Sequence, residues 1–465
     1  MSRLLLLFAV GCLGGCALGP DYVRPATPTA EAYPEASAGG EAVRADWWKS
    51  FGDPQLDALV TRAHSANADL ALAAARVEEA MATLAETEGA AWPQIDASAT
   101  SQNIKLSEGG FNPNLALSGR TRINQRLGLS TAFELDFWGR IRRAKEGARA
   151  RLLAAQESRL VVELGVGAAV VRAYALLRAA DVQLAAAEEI VVLRDDELSL
   201  LAKRARLGAA APGELASAVV ARGEAVVRRA DLRRARGAAE HLLGQLTAQP
   251  GLRIASRTEG GLAAPAAVAA GLPADLLRRR PDVIAAEQAL IAANARIGFV
   301  KASRFPTFSL TGALGAESRD LEALFGPRNS SSSLGLGITM PLLDFGRGSA
   351  RVEGAVAQRQ QAVAAYEQAV LNAFREVRNA LVDVRETTEA AQAADRMVVA
   401  SQEALRIAQA RQGAGQTGPD ELLTARRVFA ESKVFVARVR ADRLAAQVDL
   451  IRALGGARPD LAAAR

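Results

Sequence analysis

Leu127-Gly128-Leu129-Ser130-Thr131-Ala132-Phe133-Glu134-Leu135-Asp136-Phe137 alternates a large apolar side chain with a small or polar one at nearly every step. A period of two is the mark of a β-strand with one greasy and one polar face. Leu334, Leu336, Ile338, Met340 and Leu342 do the same against Gly335, Gly337 and Thr339, and Phe308, Leu310, Gly312 and Leu314 continue the theme. Each run is about ten residues, the length a tilted strand needs to cross a bilayer. A half-buried strand of a soluble sandwich has the same period, but a sandwich needs a second sheet to face. Only about four such strands are expected here, separated by long helical stretches.

Four strands cannot close a barrel. A lipid-exposed sheet edge leaves backbone groups unpaired at several kcal/mol each, and barrels need about eight strands or more. The chain is therefore expected to finish its pore with copies of itself. Two copies supply about eight strands and three about twelve, and the pattern alone admits either.

Working outward, the second half of the chain repeats the first. Asp69 to Pro93 lies over Asp282 to Pro306 without a gap, each an Ala-rich helix ending in an aromatic-Pro pair, Trp92-Pro93 and Phe305-Pro306. Proline there ends the helix and starts an extended segment. Leu135-Asp136-Phe137-Trp138-Gly139-Arg140 echoes Leu343-Asp344-Phe345-Gly346-Arg347 with Trp138 as an extra residue, and Glu146-Gly147-Ala148 echoes Glu353-Gly354-Ala355. Arg204 to Gly208, Pro212, Glu214, Leu215 and Ala218 fall on Arg411 to Gly415, Pro419, Glu421, Leu422 and Ala425. Each unit reads helix, strand, strand, very long helix, tight turn, long helix.

The long helices follow from what is missing: no proline lies between Pro113 and Pro212, nor between Pro341 and Pro419. About 70 residues from Arg140 to Gly208 make a helix on the order of 100 Å, far beyond a globular one. Alanines at Ala179-Ala180, Ala185 to Ala187, Ala362, Ala364 and Ala365 let neighbouring helices approach closely, as in a coiled wall. An ordinary long antiparallel coiled coil shares these features.

Half of the 465 residues are hydrophobic and only 5% aromatic, which suits a close-packed helical core. The +6 charge, from 57 basic and 51 acidic residues, is interspersed along helices, and no basic patch with aromatic neighbours points to nucleic acid. At the amino terminus, Arg3 precedes the short apolar run Leu4 to Leu13, which reads as a cleaved export signal. Leu13-Gly14-Gly15-Cys16 resembles the lipobox of bacterial lipoproteins, so Cys16 is expected to carry lipid. Cys12 leaves with the signal, so Cys16 has no disulfide partner in the mature chain. Ala17 follows where an inner-membrane retention signal would place Asp, and outer-membrane sorting is implied. The expected organisation is a signal peptide over 1–15, a lipidated linker over 16–46, a first repeat over 47–250, an inter-repeat segment over 251–270, a second repeat over 271–456 and a tail over 457–465.

These residues resemble the TolC family of outer-membrane factors, in its OprM and NodT-like branch of efflux lipoproteins. The likeness covers nearly the whole mature chain, from Gly19-Pro20-Asp21-Tyr22-Val23-Arg24-Pro25 through Trp47-Trp48, Phe51 to Pro54 and Leu56. It continues in the Leu135 to Arg140 motif, Leu276-Leu277-Arg278-Arg279-Arg280-Pro281-Asp282-Val283 and the closing Ala453-Leu454-Gly455-Gly456. The resemblance implies a mainly α fold with a small transmembrane β part: a homotrimer whose twelve-stranded β-barrel continues as an α-helical tunnel into the periplasm. It implies a passive exit duct for drugs, metals or other small molecules. The implied partners are outer-membrane lipid, a periplasmic adaptor (membrane fusion protein) and an inner-membrane RND-type transporter. A type I protein secretion duct and a non-conducting periplasm-spanning lipoprotein are the alternatives.

The turns at Gly208 and Gly415 are expected at the periplasmic end, with Gly in a left-handed cap and Pro212 and Pro419 opening the return helices. Glu214 and Glu421 then fall in the first turn, where the helix dipole favours an anion, and capping alone accounts for both. By resemblance, constrictions lie around Asp420, Glu421, Thr424 and Arg427, with Thr424 in place of the acid often found there, and Glu214 joins them as a gate candidate. Resemblance also places adaptor contacts at Arg204, Gly208, Ala209, Arg411, Gly415 and Gln416. An enzyme is not expected: His64 and His241 sit on separate helices with no thiol or histidine partner for a metal. Gly335-Leu336-Gly337 lies on a strand without a phosphate-cradling helix. No cofactor is called for.

Overall fold

The computed structural model describes residues 17–26, 33, 43–105, 121–258, 262 and 277–457. After a 3-10 turn at Trp47–Phe51, the first repeat runs α1 (Pro54–Ala66), α2 (Ala68–Gly89), β1 (Gln94–Lys105), β2 (Thr121–Leu135), α3 (Arg140–Arg206) and α4 (Pro212–Leu246). The second runs α5 (Pro281–Ala302), β3 (Thr307–Ser318), β4 (Ser330–Thr339), α6 (Arg347–Gly413) and α7 (Pro419–Ala453). The duplication reaches element lengths: α3 and α6 are both 67 residues, α4 and α7 both 35, α2 and α5 both 22.

Local chemistry sets the helix starts. Asp53 caps α1, its carboxylate accepting from the N–H groups of Gln55 at 2.9 Å and Leu56 at 3.4 Å. Asn67 caps α2 through Asp69 N–H at 2.9 Å, and donates from its amide to the Leu246 carbonyl at 3.0 Å, a helix end that would otherwise be unpaired. The repeated Leu-Asp-Phe motif does the same for the long helices. Asp136 accepts from Arg142 N–H at 2.9 Å, and Asp344 from Gly348 N–H at 2.7 Å.

The chain forms two compact units by proximity. The first comprises Met1–Ala26, Arg76–Ala155 and Ala285–Tyr366, and the second Thr27–Ala75, Gln156–Ile284 and Glu367–Arg465. The first holds one antiparallel sheet in the order β1-β2-β3-β4. Register places Leu129 between Ala97 and Leu314, and Leu310 between Phe133 and Leu336, so the large apolar residues share one face. That face is bare: Leu314, Leu334 and Leu336 are 65%, 82% and 64% exposed. Asp96, Ser98, Ser130, Glu134, Ser309, Glu317 and Gly335 occupy the other. Among the described residues, the outer edges of β1 and β4 have no strand partner.

The strands end sooner than alternation suggests. Phe137 and Leu342 continue the period but lie beyond Leu135 and Thr339. Gly139, at φ +75°, turns the chain into α3, and Pro341 has no N–H to offer a ladder. Phe137 instead packs edge-on against Phe308, with centroids 5.0 Å apart. Trp138, the extra residue, donates from its indole to the Pro306 carbonyl at 2.8 Å.

The second unit holds the larger core, in which Phe51, Leu56, Val60, Val170, Val171, Tyr174, Leu177, Leu243 and Ile451 pack together fully buried.

Candidate functional site

The two reversals at the ends of α3 and α6 are built alike. Gly208 and Gly415 have φ of +74° and +69°, the left-handed region that a side chain resists. Around them the N–H of Ala209 donates to the Arg204 carbonyl at 2.8 Å, and that of Gln416 to the Arg411 carbonyl at 2.9 Å. These six-to-one bonds cap the last turn and satisfy carbonyls the helix cannot. Arg204, Gly208, Ala209, Arg411, Gly415 and Gln416 are thus the frame of the two turns.

The acids beside them behave differently from one another. Glu214 reaches back to accept from the Ala211 N–H at 3.1 Å, which is helix capping. Glu421, its repeat counterpart, instead takes Arg411 at 2.9 Å. Asp420 takes Arg204 at 2.6 Å, tying the α6–α7 turn to the α3–α4 turn. Gly213 stands where the first repeat would need an equivalent of Asp420, so Arg204 has no acid of its own there. Both pairs are half exposed, worth about 0.2–1 kcal/mol each. Thr424 is exposed and Arg427 pairs one turn on with Glu431 at 3.2 Å, so among the described residues neither shares an ion pair with the other gate candidates.

Cys16 lies outside the described residues, but the strap that follows it is firmly seated in the first unit. Leu18 donates to the Trp138 carbonyl at 3.0 Å, and Arg143 donates to the Leu18 carbonyl at 3.2 Å and to Asp21 at 2.8 Å. Asn294 donates to the Pro20 carbonyl at 2.8 Å. Glu287, nearly buried, accepts from the Tyr22 hydroxyl at 2.9 Å and twice from Arg24 at 2.6 Å. Burial, and then the bond to Glu287, push the Tyr22 hydroxyl well above the ordinary phenol range. Gly19, at φ +106°, lies so close to Gly298 that a side-chain carbon on it would stand 2.5 Å from the Gly298 Cα.

Two clasps escaped sequence reasoning. Arg280 is buried and donates to Asp282 at 2.9 and 2.6 Å, to Glu376 at 2.8 Å and to the Ala453 carbonyl at the end of α7 at 2.9 Å. Gly455, at φ +84°, packs on its backbone, so two of the strings that carry the family likeness touch one another. The second clasp joins Asp53, Tyr174, Arg178, Asp181, Arg236 and Arg257. Tyr174 donates to Asp53 at 2.9 Å, Arg257 to Asp53 at 2.9 Å, and Arg236 to the fully buried Asp181 at 2.7 Å. Desolvation works against the Asp53 carboxylate, but Tyr174, the Gln55 N–H and Arg257 outweigh it and hold the group below the usual carboxylate range. The Arg280-Pro281-Asp282 string and the Phe51 to Pro54 string each held a member of one clasp, and neither named a partner. His64 sits edge-on to Trp48 at 5.2 Å, and among the described residues no group of three His, Cys, Asp or Glu side chains could hold a metal.

The family model described as "Outer membrane efflux protein" matches residues 59–249 and 272–456, one stretch in each repeat. The "Cation efflux system protein CusC" of Escherichia coli O157:H7 is 30% identical over 462 residues, covering 97% of this chain and 98% of that one. "Outer membrane protein OprJ" of Pseudomonas aeruginosa is 31% identical over 453 residues, covering 96% and 93%. The solved structure of the outer-membrane channel OprN superposes with a TM-score of 0.83 at 30% identity, over 95% of this chain and 99% of that one.

Proposed function

The chain belongs to the outer membrane efflux protein family and is the outer-membrane channel of an efflux system, and from that premise we propose that three copies close one twelve-stranded pore. The carrying observation is the four-stranded sheet with one bare apolar face and two open edges. In lipid each open edge demands a partner strand, and a second and third copy supply β1 to β4 contacts without new chemistry. The 67-residue helices, about 100 Å each, supply the periplasmic duct. Cys16 carries the lipid anchor, and the strap from Leu18 to Arg24 holds that anchor at the junction of β2 and α3, where the membrane sheet gives way to helix.

The duct is passive and not an enzyme. It takes small molecules handed over by an adaptor and an inner-membrane RND-type transporter, and the turns framed by Gly208 and Gly415 are the adaptor's docking point. The Arg204–Asp420 and Arg411–Glu421 pairs latch the closed tip. The relatives' names cover both a cation system and an outer membrane protein of broader description, so cargo follows from the pump rather than from this chain. Native mass spectrometry and planar-bilayer recording test the reading together. A trimer mass with discrete conductance is expected, and a monomer that never conducts, even with Asp420→Asn and Glu421→Gln, refutes it.

A further inference from the structure

The helix ends that adjoin the sheet are basic. Residues 140–151 carry Arg140, Arg142, Arg143, Lys145, Arg149 and Arg151 against the single acid Glu146. Arg140 is answered by Glu134, Arg143 by Asp21 and Glu146, and Lys145 by Glu88. Among the described residues Arg151, Arg296 and Arg351 have no carboxylate partner, and all three are exposed. They line two neighbouring clefts. One, about 420 Å³, lies between α5 and α6 and is walled by Arg296, Phe299, Ser303, Arg351 and Gln358. The other, about 140 Å³, shares Arg296 and Phe299 and adds Arg143 and Arg151 from α3. Among the described residues neither cleft has a carboxylate in its wall. Arg143 is already answered, but Arg151, Arg296 and Arg351 are like charges without a counter-charge in the cleft walls, so the arrangement is poised for an anion.

The connection from β4 into α6 shows what else the anion carries. Leu342 and Phe345 are each 90% exposed and Leu343 is 75% exposed. Phe345 is also held at φ +51°, a left-handed conformation that a bulky residue adopts at a cost. Asp344 holds the turn that sets this conformation, its carboxylate accepting from the Gly346 N–H at 3.0 Å and the Gly348 N–H at 2.7 Å, and the turn leaves the Phe345 ring bare, an exposure that an acyl layer would cover. Phe345 lies two residues before α6 and Arg351 four residues into it, while Ser303 is four residues before β3. Apolar loop and cationic cleft therefore succeed one another at the level where the sheet leaves the membrane.

We infer that this rim is a seat for an anionic phospholipid of the inner leaflet, with its phosphate in the cleft at Arg296 and Arg351 and its acyl chains against Leu342, Leu343 and Phe345. Juxtamembrane arginines draw anionic headgroups in just this way, and their charge complements a phosphate diester. The inference rests on the sheet lying in the outer membrane, and it adds a lipid class and a place.

The test is native mass spectrometry of the full-length lipidated protein in detergent, with phosphatidylglycerol, phosphatidylcholine or free glycerol phosphate added. Wild type is expected to retain phosphatidylglycerol in preference to the other two. Arg296→Gln with Arg351→Gln should lower that retention roughly tenfold or more, while Arg296→Lys with Arg351→Lys should restore most of it. Phe345→Gly, which relieves the backbone, should weaken retention of both phospholipids. Undiminished retention by the Gln pair, equal retention of phosphatidylcholine by wild type, or equally tight free glycerol phosphate would each overturn the seat. The protein's own assembled mass appears in every spectrum, so a failure of the trimer is seen separately from a failure of lipid binding.

Discussion

Gly298→Ala isolates the strap. Gly298 lies inside α5, where Ala is the better helix former by up to about 1 kcal/mol, so the helix itself gains. The added carbon would stand 2.4 Å from the Leu18 carbonyl oxygen and 2.8 Å from Arg143 Cγ. Such an overlap is relieved only by lifting Leu18 away. Lifting it breaks the Leu18–Trp138, Arg143–Leu18 and Asn294–Pro20 bonds, at about 0.5–1.5 kcal/mol each, roughly 3 kcal/mol in all. The helix gain is the same with the strap docked or lifted, so docking of the strap weakens by about 3 kcal/mol, which is on the order of a hundredfold rise in the open population. Chymotrypsin cutting after Tyr22 reads that population when opening is fast relative to cleavage. Cleavage should accelerate on the order of a hundredfold while the helical circular dichroism stays constant. An unchanged cleavage rate with Ala at 298 would mean the strap is not held where we place it.

Arg280→Met should destabilise the second unit by roughly 2–4 kcal/mol in denaturant unfolding. The loss falls short of a fully buried pair because Asp282 and Glu376 keep some access to water. A double-mutant cycle on Arg204→Ala and Asp420→Asn should give a coupling below about 1 kcal/mol that fades at high salt, together with more frequent openings in bilayer recordings. Coupling that persists in molar salt would refute a surface latch. Because Asp53 is held below its unfolded value, its contribution is present at neutral pH and is lost as pH falls below about 4, through the folded-state value. The melting temperature should be level from pH 7 to 5 and decline in acid, and Asp53→Asn should lower the plateau and blunt the decline.

What could be read from the sequence was whatever repeats locally. The period of two in Leu127 to Leu135, the absence of proline through α3 and α6, and the paired Gly208 and Gly415 each state a conformation within a few residues. Alternation overshot at Phe137 and Leu342 because it records side chains, whereas a ladder stops where the backbone turns or loses an N–H. β1 was audible only by analogy, since Ile95, Ala97, Ala99, Ser101 and Asn103 give its outward face no greasy rhythm. At the tip, sequence named Asp420 and Glu421 but not their partners: Asp420 joins Arg204 across more than two hundred residues. Arg280 and the Asp53–Tyr174 clasp were silent for the same reason. Their meaning lies in atoms brought near by folding.

The matched rods carry a consequence for how such a chain can change. Dropping one helical turn from α3 alone would shorten that rod by 5.4 Å, about twice the separation at which Arg204 now meets Asp420. The gene's two halves are therefore yoked. A tolerated insertion or deletion in one must be answered by the same number of codons in the other, and lineages of different reach should differ by paired steps.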